Sequence, residues 1–161
     1  MKKLTINFDM DGTIADLYAV EGWRDMLDSH DPTPYEVAKP MLPLNILARY
    51  INRFRKAGIR VNIISWLAKN TNEEYDQKVI QAKREWLEKH LPSVTFDNLY
   101  FLPYGTKKSE YAQKTKLNIL IDDETANLEE WQIFAKVGYG VKATPHAIYR
   151  TFKMINKSLE V

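Results

Sequence analysis

Five short apolar runs, separated by segments of helical periodicity, constrain this chain more than any other feature. The runs are 4–8 (LTINF), 60–64 (RVNII), 98–102 (NLYFL), 117–121 (LNILI) and 137–141 (VGYGV). Most of them are β-branched or aromatic and are bounded by turn residues, which marks them as strands. The helical segments are 44–58, 71–92, 124–138 and 144–158. The first carries Leu44, Leu47, Ile51 and Phe54 at helical spacing and stops at Gly58. The third places Leu128, Trp131 and either Phe134 or Ala135 on one face, and the last opens on Thr144-Pro145. Strands alternating with helices imply an α/β fold with a central, mainly parallel sheet covered on both faces. Ligands of such sheets sit at the carboxyl ends of the strands.

With 161 residues, 45% of them hydrophobic, the chain suits one domain with one substantial core. Residues 17–43 fit neither pattern and are rich in Pro and aromatics; they read as a small cap or flap insert over one end of the sheet. Net charge is +2, which argues against a nucleic-acid polymer as partner. The absence of cysteine excludes a disulfide framework and a thiolate metal site, and is compatible with a reducing compartment. The N-terminal apolar run stops at Asp9, too early for a signal-peptide core, and no run approaches the ~20 residues of a membrane span. The expected location is the cytoplasm, without membrane association.

The strand ends carry the chemistry. Run 4–8 stops on Asp9 and Asp11, which share a face if the strand continues. Close carboxylates repel unless a cation lies between them or one is protonated. Gly12 allows the chain to leave the strand sharply, although Asp and Gly are also ordinary turn residues. Run 117–121 repeats the pattern with Asp122 and Asp123 before a helix, where a single Asp would suffice as a cap. Two such ends in one parallel sheet put four carboxylates on one edge, a site for a hard divalent cation. Run 60–64 leads to Ser65, and run 98–102 is followed by Lys107 and Lys108. A Ser there is also a turn residue and a Lys pair also a solvated surface. Taken together, carboxylates, a hydroxyl and an ammonium suit a phosphate ester.

These residues resemble the four motifs of the haloacid dehalogenase (HAD) superfamily. DMDGTIAD (9–16) is similar to the first motif, DxDGTxxD. Ser65 at the end of VNIIS resembles the second, a Lys of Lys107/Lys108 the third, and ILIDDETAN the DDxxxN form of the fourth. The resemblance spans the whole chain, 1–161, and implies a Rossmann-like, HAD-type three-layer sandwich. It implies Asp9 as a nucleophile that forms an aspartyl-phosphate and Asp11 as general acid and then base. It also implies Mg2+ held by Asp9, the Asp11 carbonyl, Asp122 and Asp123, and phosphate held by Ser65 and a lysine. Lys108 is preferred to Lys107 because it lies deeper in the expected helix start. The Asp two residues after Asp9 resembles the phosphatase branches.

The overall pattern most resembles the 5′(3′)-deoxyribonucleotidase-like subgroup, which implies a nucleotide monophosphate as substrate, although the insert is shorter here than in the well-known nucleotidases. Polynucleotide ends, phosphoproteins, or a non-catalytic binding module are the alternatives. Trp23 and Trp66 are the candidate base-stacking residues, Trp23 also being a candidate for the insert's own core. Trp86 and Trp131 read as core, and His30, His90 and His146 have no assigned role. Asp16 is expected to hold the flap turn through a side-chain hydrogen bond to nearby backbone.

Overall fold

A computed structural model describes residues 4–160. The elements run β1 (Leu4–Phe8), β2 (Ala15–Asp16), α1 (Trp23–Asp28), α2 (Thr33–Val37), β3 (Lys39–Pro40), α3 (Leu44–Lys56), β4 (Arg60–Trp66), α4 (Glu73–His90), β5 (Asn98–Leu102), β6 (Leu117–Asp122), α5 (Thr125–Phe134), β7 (Gly138–Lys142) and α6 (Pro145–Leu159). The main sheet is fully parallel with strand order β5-β4-β1-β6-β7. β1 therefore lies at its centre, buried along most of its length.

The alternation of side chains along the strands divides the core into two layers. Ile6, Phe8, Val61, Ile63, Ile119 and Ile121 face one side, where Leu47, Ile51 and Phe54 of α3 and Ile148, Phe152 and Ile155 of α6 cover them. Ile64, Leu102 and Leu120 face the other side, under Leu128 and Trp131 of α5. Trp86 and Trp131 are both buried, as their apolar faces imply. α5 stops at Phe134, four residues before the expected end, because Ala135–Val137 must turn the chain into β7. Ala135, and not Phe134, completes its buried face. β4 is two residues longer than the apolar run suggested, so Ser65 is a paired strand residue opposite Phe101 and not a turn.

An asparagine ladder crosses three strands inside the sheet. Asn7, Asn62 and Asn98 are level in register. Asn98 donates its amide to Asn62 at 3.0 Å, Asn62 donates to Asn7 at 2.9 Å, and Asn7 donates to the Ile119 carbonyl at 3.0 Å. Each amide would cost about 1–3 kcal/mol if buried without a partner.

Segment 17–43 holds a 3-10 turn at Leu17–Ala19, two short helices and β3, which pairs with β2 just before the segment. Its own apolar residues, Leu17 and Tyr35, pack with Leu67, Tyr75 and Val79 of the main body. Asp16 acts through its backbone, paired with Lys39, and its side chain makes no cap hydrogen bond, contrary to the expected role. No helix among the described residues is long and apolar enough to cross a membrane.

Candidate active site

Register brings the two acidic strand ends together. Phe8 is level with Ile121 in the parallel β1–β6 pair, and the Asp9 amide donates to the Ile121 carbonyl at 2.9 Å. Asp9 and Asp122 are thus neighbours one step further on. After Asp9 the chain turns tightly: the Met10 carbonyl accepts from the amides of Thr13, Ile14 and Ala15. Gly12 has φ +77°, and a Cβ there would collide with the Asp123 carboxylate and the Tyr18 ring, so the loop lies directly against the second acidic pair.

Lys108 is the first cation of the site. It begins a 3-10 turn after β5 and is buried, with Nζ 2.9 Å from Asp9 Oδ1 and 2.6 Å from Asp122 Oδ2. Burial alone would lower its pKa, but the attraction of Asp9 and Asp122 outweighs this and holds it above the usual lysine range. Lys107 points elsewhere: it is exposed, with its ammonium 4.7 Å from the centre of the Phe134 ring.

Lys83 is the second cation, and the sequence reading passed over it. It is only 1% exposed, and it donates to Asp11 Oδ2 at 2.6 Å, Ser65 Oγ at 2.8 Å and the Trp66 carbonyl at 2.9 Å. Its ammonium also lies 5.0 Å from the Tyr35 ring centre. A signal was present. Lys83 falls between Val79 and Trp86 on the buried face of α4, where a lysine needs acceptors. Ser65 is wholly buried, and its hydroxyl is engaged with this lysine.

Asp9, Asp122 and Asp123 each offer a carboxylate oxygen, all within 4.8 Å of one another. Asp122 accepts from Lys108, from the Asn127 amide at 3.1 Å and from the Glu124 backbone N–H at 2.9 Å. Asn127 is the Asn of the DDxxxN pattern, and it orients Asp122. Burial, together with Asp9, pushes the Asp122 carboxyl up to about 6, Lys108 opposing. Burial and the neighbouring Asp9 and Asp122 push Asp123 up to about 7. An all-oxygen set in which carboxylates strain against one another fits a divalent cation such as Mg2+. Asp11 is also raised, first by burial and then by Asp9, with Lys83 opposing. Its side chain is turned toward Lys83 and away from the carboxylate trio.

These groups floor a cavity of about 510 Å3, within the range of small-molecule sites. Its walls carry the rings of Tyr18, Trp23 and Tyr35 from segment 17–43 and of Trp66 and Tyr104 from the main body, beside the charged Arg24, Asp28 and Lys69. Trp66 is held by a hydrogen bond from Nε1 to the Thr106 carbonyl at 2.9 Å and by Tyr104, 4.8 Å away between ring centres. Trp23 packs edge-on against Tyr18 at 5.1 Å and belongs to no core cluster, so it is a wall residue. Among the histidines, His30 stacks on Tyr75 and contacts the Asn70 carbonyl, joining segment 17–43 to the loop before α4.

The same architecture occurs in solved structures of low sequence identity. A HAD family enzyme from Bacteroides thetaiotaomicron superposes with TM-score 0.53 at 12% identity, over 94% of this chain and 99% of that one. The D,D-heptose 1,7-bisphosphate phosphatase of B. bronchiseptica, complexed with magnesium and phosphate, gives TM-score 0.52 at 13% identity, covering 92% and 86%. The chain shares the HAD fold. A chain of a Pnkp1/Rnl/Hen1 complex gives TM-score 0.54 at 16% identity, over 86% of this chain but 46% of that one. No protein-family model and no curated protein matches the sequence. Likeness to HAD structures thus rests on shape, and the chemistry rests on the residues just described.

Proposed function

We propose that the protein is a Mg2+-dependent phosphomonoesterase that works through an aspartyl-phosphate on Asp9, with a nucleoside monophosphate as substrate. The observation that carries this reading is the convergence of Asp9, Asp122, Asp123 and Lys108 at the floor of one cavity. Asp9, Asp122 and Asp123 would hold the ion, together with the Asp11 carbonyl. Bound there, Mg2+ would supply charge neutralisation of the phosphoryl oxygens.

This chain's own groups account for the remaining steps. An Asp9 carboxylate oxygen attacks phosphorus in line, and the bond from phosphorus to the ester oxygen breaks. Asp11, whose raised pKa favours the protonated acid, gives its proton to the departing alkoxide. Water then attacks phosphorus, its proton passes to Asp11, and the Asp9–phosphorus bond breaks to release phosphate. Lys108 holds Asp9 in position and offers positive charge to the phosphoryl group. Lys83 holds Asp11 and Ser65 in a fixed arrangement beside it. The aromatic walls and the cavity volume favour a flat, base-like leaving group.

A panel of phosphomonoesters, including deoxynucleoside 5′- and 3′-monophosphates and an aryl phosphate, tests both parts of the reading. Mg2+-dependent turnover lost by at least about 10^3-fold in Asp9→Asn is the expected result. Turnover that survives Asp9→Asn would refute the nucleophile. A flat profile across nucleotides would refute the nucleotide while leaving the phosphatase.

A further inference from the structure

The near-neutral net charge conceals a segregation of sign. α3 carries Arg49, Arg53, Arg55 and Lys56 and no acid; α6 carries Arg150, Lys153 and Lys157 and no acid. α4 has a different composition, interleaving acids and cations along its length. α3 and α6 cover the same face of the sheet, joined by a seam in which Tyr50 lies 5.0 Å from Phe152 and 6.3 Å from Tyr149. Their buried residues point at the sheet, which turns Arg49, Arg53, Lys56, Arg150, Lys153 and Lys157 outward; all six are exposed. Among the described residues, Asp97 engages the half-buried Arg55 and Glu160 engages Arg53 at 3.1 Å. Favourable placement at helix C-termini accounts for Arg53, Lys56 and Lys157, but not for Arg49, Arg150 and Lys153, which lie further back.

We infer that the outer face of α3 and α6 is a docking surface for the phosphate backbone of duplex DNA. Each helix presents a stripe of three cations across eight residues, about 10 Å from first to last. Packed helices lie about 8–10 Å apart, so the two stripes form one compact positive field. Duplex DNA carries one charge per about 1.7 Å of axis, or about six phosphates over 10 Å, a match in number to the six outward cations. The surface is separate from the carboxylate cavity and does not depend on hydrolysis.

The test is fluorescence anisotropy of the full chain with a labelled 20-base-pair DNA duplex, in EDTA, across 50–200 mM KCl. The expected result is binding whose log–log salt slope is about −4 to −5. Arg150→Glu/Lys153→Glu/Lys157→Glu should weaken it at least about tenfold at 50 mM and make the slope shallower by about 3. The glutamine triple variant gives the same direction if the reversal variant fails to fold by circular dichroism. Lys78→Glu, an exposed reversal on α4, should leave binding unchanged. The inference is overturned by absence of salt-sensitive binding at 50 mM KCl, by equal loss in Lys78→Glu, or by unweakened binding in a folded triple variant. Tighter binding to an RNA duplex of the same sequence, or to phosphatidylserine vesicles, also overturns it.

Discussion

Lys83 Nζ lies 2.6 Å from Asp11 Oδ2, so the carboxyl group proposed as acid and base is clamped by a lysine from a different element. The same ammonium reaches Ser65 and the Trp66 carbonyl. One buried side chain thereby ties the loop after β1 to the end of β4. Removing it would leave Asp11 free to rotate and the Trp66 carbonyl without this donor.

Lys83→Met is expected to lower kcat on alkyl phosphates about 10- to 100-fold with little change in KM, because a general acid contributes about 10^2–10^4-fold when correctly placed. The loss on an activated aryl phosphate should be smaller, since its leaving group needs less help. Steady-state kinetics on both substrates checks this. Thermal unfolding of the same variant should show a cost on the order of 1–3 kcal/mol for the orphaned acceptors. Equal losses on both substrates would point to general damage.

The raised carboxyls give a pH dependence with a definite sign. Asp122 and Asp123, at about 6 and about 7, bind protons more readily in the folded chain than at their ordinary value of 3.8. Between about pH 4 and 7 the folded state therefore holds more protons than the unfolded one. Metal-free protein should lose stability through these groups as pH rises across that window. Mg2+ competes with those protons, so its addition should raise Tm more at pH 8 than at pH 5.5. Scanning calorimetry with EDTA or with Mg2+ measures both effects. A Mg2+ shift that is larger at pH 5.5 would contradict the site.

Trp66→Leu is expected to raise KM for nucleoside monophosphates about tenfold, within the ~1–3 kcal/mol that stacking on a base contributes. kcat should change little, since the side chain does not touch Asp9 or Asp11 in the proposed mechanism. Parallel assays with a small alkyl phosphate, which has no base, should show no KM change. A uniform KM effect across substrates would assign Trp66 to supporting the loop at Thr106, which its indole N–H already holds.

Much of the architecture was legible in the chain because apolar alternation and strand length are local properties. LTINF and NLYFL coincide with β1 and β5 to the residue. The boundary at β4 was missed because Ser65 and Trp66 do not extend the apolar run, although backbone pairing with Phe101 and Leu102 continues through them. Asp9 and Asp122 were legible because each follows an apolar run directly, with Asp123 next in line; Lys108 lies six residues beyond Leu102 and was legible only through the motif it resembles. Lys83 was not, because it lies mid-helix, 72 residues from the Asp11 it contacts. Tyr104 and Tyr18 were not singled out either, since neither belongs to a periodic pattern and only the folded loops make them walls. The split of charge between α3/α6 and the rest was equally hidden in the sum, because net charge discards position.

The asparagine ladder does more than satisfy buried amides: it fixes strand register. Hydrophobic packing tolerates a slip of two residues between neighbouring strands, since that keeps every side chain on its own face. The amides of Asn7, Asn62 and Asn98 do not tolerate it, because each recognises a partner at one level only. Asp9 stands two residues beyond Asn7, and Ser65 three beyond Asn62. The ladder thus serves as a vernier: it sets the relative heights of β1, β4 and β5, and with them the levels at which the Asp9 carboxylate and the Lys83 acceptor Ser65 stand.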